Sequence, residues 1–138
     1  IFNKTVVKQA QIVFEELYRA KFPIHTMQPV YHYNGSDDDS MKDNNTSSFN
    51  CRKVKGSSRW SEHSFGEAID FNPLWNPWVK GSKVLPSDGR RFKDRDNRIP
   101  GMINEGDPII ERLLEQGWKW GSEKAGIKDY QHFSRISE

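Results

Sequence analysis

One cysteine in 138 residues excludes an internal disulfide, so no covalent staple is available to this chain. A lone Cys51 suits the cytosol, but also export in organisms that use few disulfides. No apolar run is long enough to span a membrane. Charge of one sign is also missing: the formal net charge is +2, with acidic and basic residues interspersed. Without a basic stripe there is no long-range pull towards nucleic acid. No internal repeat or domain-separating linker is visible. Neither an initial methionine nor a secretory signal precedes Ile1-Phe2-Asn3, as expected of a processed or trimmed N-terminus. The hydrophobic fraction is only 34%, below the usual ~45–50%.

What the chain has instead is aromatic mass, 12% of residues with five Trp and eight Phe. A few large side chains should therefore supply much of the core. High polarity with abundant aromatics indicates a globular chain with long surface loops rather than a disordered one. Its length predicts a single domain over residues 1–138, with roughly 68–70% of the unfolded surface buried.

Residues 5–20 read as an amphipathic helix, with Val6, Val7, Ala10, Val13, Phe14 and Leu17 on one face and Phe22-Pro23 ending it. Residues 27–33 read as a strand near an edge, because of Pro29. His25 and His32 beside it are expected to be ordinary structural histidines. Residues 34–48 form a polar loop with Asp37-Asp38-Asp39, which lacks the spacing of an EF-hand. Residues 49–54 read as a strand carrying a buried Cys51 thiol, and residues 80–101 as loop. The basic cluster from Arg90 to Arg98 should be solvated and self-compensated by Asp94 and Asp96. Asp107-Pro108 opens a second helix that Gly117 stops. Residues 118–120 and 130–136 then alternate as strands. Two helices and several short strands without βαβ alternation give an α+β class with a mainly antiparallel sheet flanked by helices.

Two short stretches carry the chemistry. In Ser61-Glu62-His63-Ser64-Phe65-Gly66-Glu67-Ala68-Ile69-Asp70, a strand over residues 68–72 places Ile69 and Phe71 towards the core and Asp70 on the other face. His63 lies an odd number of residues earlier, so a bend near Gly66 must bring it round. In Asp129-Tyr130-Gln131-His132-Phe133, His132 faces away from Phe133, and Asp129 joins it only if the strand starts after a turn. With those bends, His63, Asp70 and His132 supply two imidazoles and a carboxylate. Three protein ligands with an open position are the pattern of catalytic zinc, whose bound water has a pKa of roughly 7. Asp129 would then act as general base, and Arg52 would face a developing oxyanion or a substrate carboxylate. The same residues also fit ordinary roles: histidines without a metal, a strand-end Asp70, a turn Asp129 and a salt-bridged Arg52. No His-Glu-x-x-His pattern is present.

Ser61-x-His63-x-x-Gly66-x-Ala68-Ile69-Asp70 followed by Asp129-x-x-His132-Phe133 resembles the zinc peptidases that comprise D-alanyl-D-alanine carboxypeptidases and L-alanyl-D-glutamate endopeptidases. This family includes the vancomycin-resistance dipeptidases and shares its metal site with the hedgehog signalling domain. Residues 45–52, Asn72-Pro73 with Asn76-Pro77, and Gly117-Trp118-x-Trp120-Gly121 extend the resemblance over about residues 44–133. It implies Zn2+ on His63, Asp70 and His132, Asp129 as base, Arg52 on the substrate, and Ser61 and Trp120 beside the metal or substrate. The implied substrates are peptidoglycan stem peptides, met outside the cytoplasm in the periplasm, the cell wall or the medium. The Asp-x-x-His-Phe ending is closer to the endopeptidases. Residues 122–126 depart from relatives, which continue after Trp120-Gly121 with a further Gly and Trp, so that cleft wall is expected to differ. Two other classes compete: a non-catalytic zinc-stabilised module that binds cell wall or protein, which needs no Asp129, and a metal-dependent nuclease, which the weak charge disfavours.

Overall fold

The fold is described from a computed structural model over residues 1–123 and 126–135. Helix α1 (Val7–Arg19) buries Ala10, Val13 and Leu17 at helical spacing, and the chain leaves it through Lys21 in the left-handed region. Helix α3 (Pro108–Glu115) packs beside it through Ile110 and Leu113. Asp107 precedes α3, but its carboxylate accepts from the Asn104 N–H (2.7 Å) and pairs with Arg98 (2.9 Å) rather than capping the helix.

The two helices cover a three-stranded antiparallel sheet of order β1-β6-β4, formed by β1 (Ala68–Asp70), β6 (His132–Ser134) and β4 (Lys119–Trp120). Register sets its faces. Ile69 stands opposite Phe133, and both enter the core with Phe71, Trp118 and Ile103. Asp70 stands opposite His132; directly opposed residues have Cβ atoms about 4.5–5.5 Å apart. A second antiparallel sheet, β3-β2-β5, contains β2 (Trp78–Lys80), β3 (Lys83–Leu85) and β5 (Lys128–Asp129). The chain thus passes from one sheet to the other between Asp129 and His132.

Several expectations need correction. Residues 27–33 are not a strand: Val30–Tyr33 is a 3-10 turn entered from Pro29 and closed by left-handed Asn34 and Gly35. The polar loop holds helix α2 (Asp37–Lys42), whose Ser36 N-cap accepts from the Asp39 N–H. Acidic residues in a first helical turn are favoured by the helix dipole. Residues 49–54 make only an isolated bridge, Lys53 to Trp60, and Cys51 is exposed. Residues 80–101 include β3, which pairs with β2 across a two-residue turn, and a 3-10 segment, Ser87–Phe92. Each strand of that hairpin buries a single valine, Val79 or Val84, too little for a periodic signal. The strand expected to reach Ile136 is β6, and Ile136 lies outside the described residues.

Arg95 departs furthest from the expected solvated cluster. Its guanidinium donates to Asn104 Oδ1, Trp75 O, Phe92 O, Asn76 Oδ1 and Ile103 O, and lies 4.3 Å over the Tyr130 ring. Burial lowers its pKa to about 10, which leaves it charged at neutral pH. Asn76, fully buried, accepts from Arg95 and the Ile103 N–H and donates to Phe71 O and Gly101 O. Asn76→Ala orphans these groups, and one unsatisfied buried group costs about 1–3 kcal/mol. Urea denaturation should show at least that loss; a change below about 0.5 kcal/mol would contradict the bridging role.

Candidate metal centre

His63 sits in a 3-10 turn, Glu62–Phe65. Ser61 caps this turn, its Oγ accepting from the His63 N–H (3.3 Å). Gly66 ends it in the left-handed region, φ 67°, where a Cβ would stand 2.8 Å from the Asn3 nitrogen. That is the bend the spacing requires: the turn swings His63 towards the face of β1 that carries Asp70.

His63 Nε2 lies 3.2 Å from Asp70 Oδ2 and 3.2 Å from His132 Nδ1, and His132 Nδ1 lies 2.9 Å from Asp70 Oδ1. The far nitrogen of each ring has an acceptor. His63 Nδ1 is 2.6 Å from Ser48 O, and His132 Nε2 is 3.1 Å from Glu62 Oε2. With hydrogens on those far nitrogens, both facing nitrogens present lone pairs to each other and to a carboxylate. Such a cluster repels itself unless a cation sits within it. His63, Asp70 and His132 form the one group able to hold a metal among the described residues. Two imidazoles and a carboxylate are a zinc donor set, with outer hydrogen bonds orienting the rings.

Without a metal, a proton takes the cation's part. Burial acts to lower the His132 pKa, but bonds to Asp70 and Glu62 and the Asp70 charge outweigh it and raise the pKa to about 10. Burial likewise acts to raise the Asp70 pKa, and the two histidines reverse this, holding the carboxyl well below its usual range. The signs follow from linkage. The Asp70 contribution is present above its unfolded pKa near 3.8 and fades at lower pH. The His132 contribution is complete below about 6.5 and fades as pH rises to about 10. In chelator, Tm should fall across pH 6.5–10, while stabilisation by added zinc grows over the same range because protons compete for the ligand. A flat metal-free profile there would contradict a proton shared at His132.

Glu62 carries no signal by residue type alone; its place one residue before His63 on a tight turn is what brings it to His132. Outer-shell partners of metal-bound histidine typically control affinity by 10–100-fold. Glu62→Ala should weaken zinc binding by that factor in a competitive chelator titration, and unchanged affinity would remove Glu62 from the site.

Asp129 belongs to β5, opposite Trp78 of β2, so the candidate base and the candidate ligand His132 stand on different sheets. Its charge is felt at His132. Gly121 packs directly on it: a Cβ there would come within 2.7 Å of Asp129 Cβ. The link between the two residues is braced by Trp120, whose indole N–H donates to Tyr130 O (3.1 Å) and whose ring stacks on Phe133. Trp120 is 7% exposed, so it supports this segment from the core side. Arg52 is tied to the turn that carries His63 by its main chain: its N–H donates to Ser64 Oγ (3.0 Å), while its carbonyl accepts from Ser64 Oγ (2.6 Å) and the Ser61 N–H (3.1 Å). His25 and His32 stay apart from the cluster, against Trp75 and Tyr31.

Searches of curated proteins and of solved structures return no match. The family described as D-alanyl-D-alanine carboxypeptidase matches residues 55–135. That segment, more than half the chain, contains His63, Asp70, Asp129 and His132; Arg52 lies just before it. The chain belongs to the D-alanyl-D-alanine carboxypeptidase family of zinc peptidases.

Proposed function

We propose that this protein is a zinc-dependent peptidase that hydrolyses peptide bonds in peptidoglycan stem peptides outside the cytoplasm. The bond cut is of the L-alanyl-D-glutamate endopeptidase or D-alanyl-D-alanine carboxypeptidase type. The observation that carries this reading is the convergence of His63 Nε2, His132 Nδ1 and the Asp70 carboxylate within hydrogen-bonding distance of one another. Family membership supplies the substrate class.

A zinc ion held by these three residues would polarise the scissile carbonyl and provide a nucleophilic water near neutral pH. The remaining chemistry falls to the chain. Asp129 takes a proton from the attacking water onto a carboxylate oxygen as the water oxygen bonds to the carbonyl carbon. It returns that proton to the amine nitrogen as the C–N bond breaks. Arg52 holds a substrate carboxylate or the carbonyl oxygen as it gains negative charge. Ser48 and Glu62 keep both imidazoles in the tautomers that leave His63 Nε2 and His132 Nδ1 as ligands.

Purified peptidoglycan incubated with the zinc-loaded protein should release stem-peptide fragments identifiable by mass spectrometry, and chelator should stop the release. Bound zinc with no cleavage across several wall chemotypes would instead indicate a binding module.

A further inference from the structure

We propose that Asp37 is a positioning residue for Arg52, presenting its guanidinium to an anionic group of the peptide substrate; the inference rests on the reading of Arg52 above. Asp37 opens helix α2, which has three acidic residues in its first turn. They part company at once. Asp38 reaches out to Lys55 at 3.3 Å, with both partners more than half exposed, an arrangement that contributes little. Asp37 turns inward. Its Oδ1 lies 3.0 Å from Arg52 Nε and accepts from Asn50 Nδ2 at 3.1 Å, with about a quarter of each charged side chain exposed.

The pair lies within electrostatic reach of the metal-binding cluster. Burial raises the Asp37 pKa and Arg52 opposes that rise, with further influence from Asp70 and His63. Arg52 is thereby held at two levels. Its main chain is bonded to Ser61 and Ser64, the residues that flank His63. Among the described residues its guanidinium is paired with Asp37 alone, through Nε. The contact is an ion pair by distance rather than an aligned hydrogen bond from Nε, so the Asp37 charge holds the planar guanidinium in place beside it and leaves the two terminal nitrogens for an incoming group. Those nitrogens form the fork that binds a carboxylate or a charged carbonyl oxygen in bidentate fashion. Fixing the fork beforehand lowers the entropy lost when substrate binds. Asn50 and α2 hold Asp37 in turn, so the acidic turn acts as a strut between helix and site rather than as a solvated loop.

The test is a double-mutant cycle on the full chain loaded with zinc, using a synthetic stem peptide. Asp37→Ala should lower kcat/KM by about tenfold, within the range of coupling between residues in direct contact. Arg52→Ala should lower it further, and the double variant should match Arg52→Ala within about twofold. Asp37→Asn, which keeps an acceptor for Asn50 but loses the charge, should fall between wild type and Asp37→Ala; it completes the cycle if the alanine variant does not fold. A merely structural Asp37 would lower Tm and give losses that multiply with those of Arg52→Ala, and this result overturns the inference. So does wild-type kcat/KM in Asp37→Ala. Loss of activity in Arg52→Ala with full activity in Asp37→Ala sinks the strut alone; full activity in Arg52→Ala sinks the reading of Arg52 as well. Calorimetric peptide affinity in an Asp129→Ala background reads the same cycle without turnover.

Discussion

Asp129→Ala should bind zinc as tightly as wild type and lose about 10²–10⁴-fold in kcat, the usual contribution of a positioned general base. The separation of effects follows from the architecture. His63, Asp70 and His132 are arranged by the β1–β6 register and by the turn at Gly66, and neither passes through Asp129. Asp129 instead stands on β5, fitted against Gly121 and joined to His132 by the segment that Trp120 braces. Asp129 acts on His132 through its charge and is not one of the three side chains that converge. Stem-peptide turnover with zinc content measured on the same sample checks this. Undiminished turnover would remove Asp129 from the mechanism, and loss of zinc would make it part of the metal site.

Asp70→Ala should do the opposite and abolish metal binding and activity together. The carboxylate lies 3.2 Å from one imidazole and 2.9 Å from the other, and it supplies the only negative charge in the donor set. Its loss should weaken zinc by more than the ~10–100-fold that removal of an outer-shell partner costs. Stability gives a second readout. Zinc at about 1,000 times its Kd stabilises the folded protein by ~4 kcal/mol, on the order of 10–20 °C in Tm for a chain of this length. Wild type should show that difference between zinc and chelator, and Asp70→Ala should melt at one temperature in both. A zinc-dependent Tm in the variant would mean that the ion binds elsewhere.

The legible parts of the sequence were those with periodicity or fixed local chemistry. Helix α1 announces itself through Ala10, Val13 and Leu17, helix α3 through Pro108 and Gly117, and β1 through Ile69 between Ala68 and Asp70. The odd spacing from His63 to Asp70 required a bend at Gly66, and a left-handed glycine stands there. Elements held by a single buried residue or by side-chain bonds over long sequence distances escaped. Val79 and Val84 are too few to mark a hairpin. Arg95 looks like one more surface cation until five acceptors, from Trp75 and Asn76 to Asn104, surround it. Asp37 looks solvated until Ser36 caps α2 and turns it towards Arg52. Glu62 shows the same limit inside the site, since its role depends on a histidine 70 residues later in the chain.

Anomalous diffraction at the zinc edge from crystals of the zinc-loaded protein tests the metal centre most directly. One peak should appear, bounded by His63 Nε2, His132 Nδ1 and the Asp70 carboxylate. No peak at that point, or an ion held by other side chains, would contradict the metal site on which the proposed activity depends.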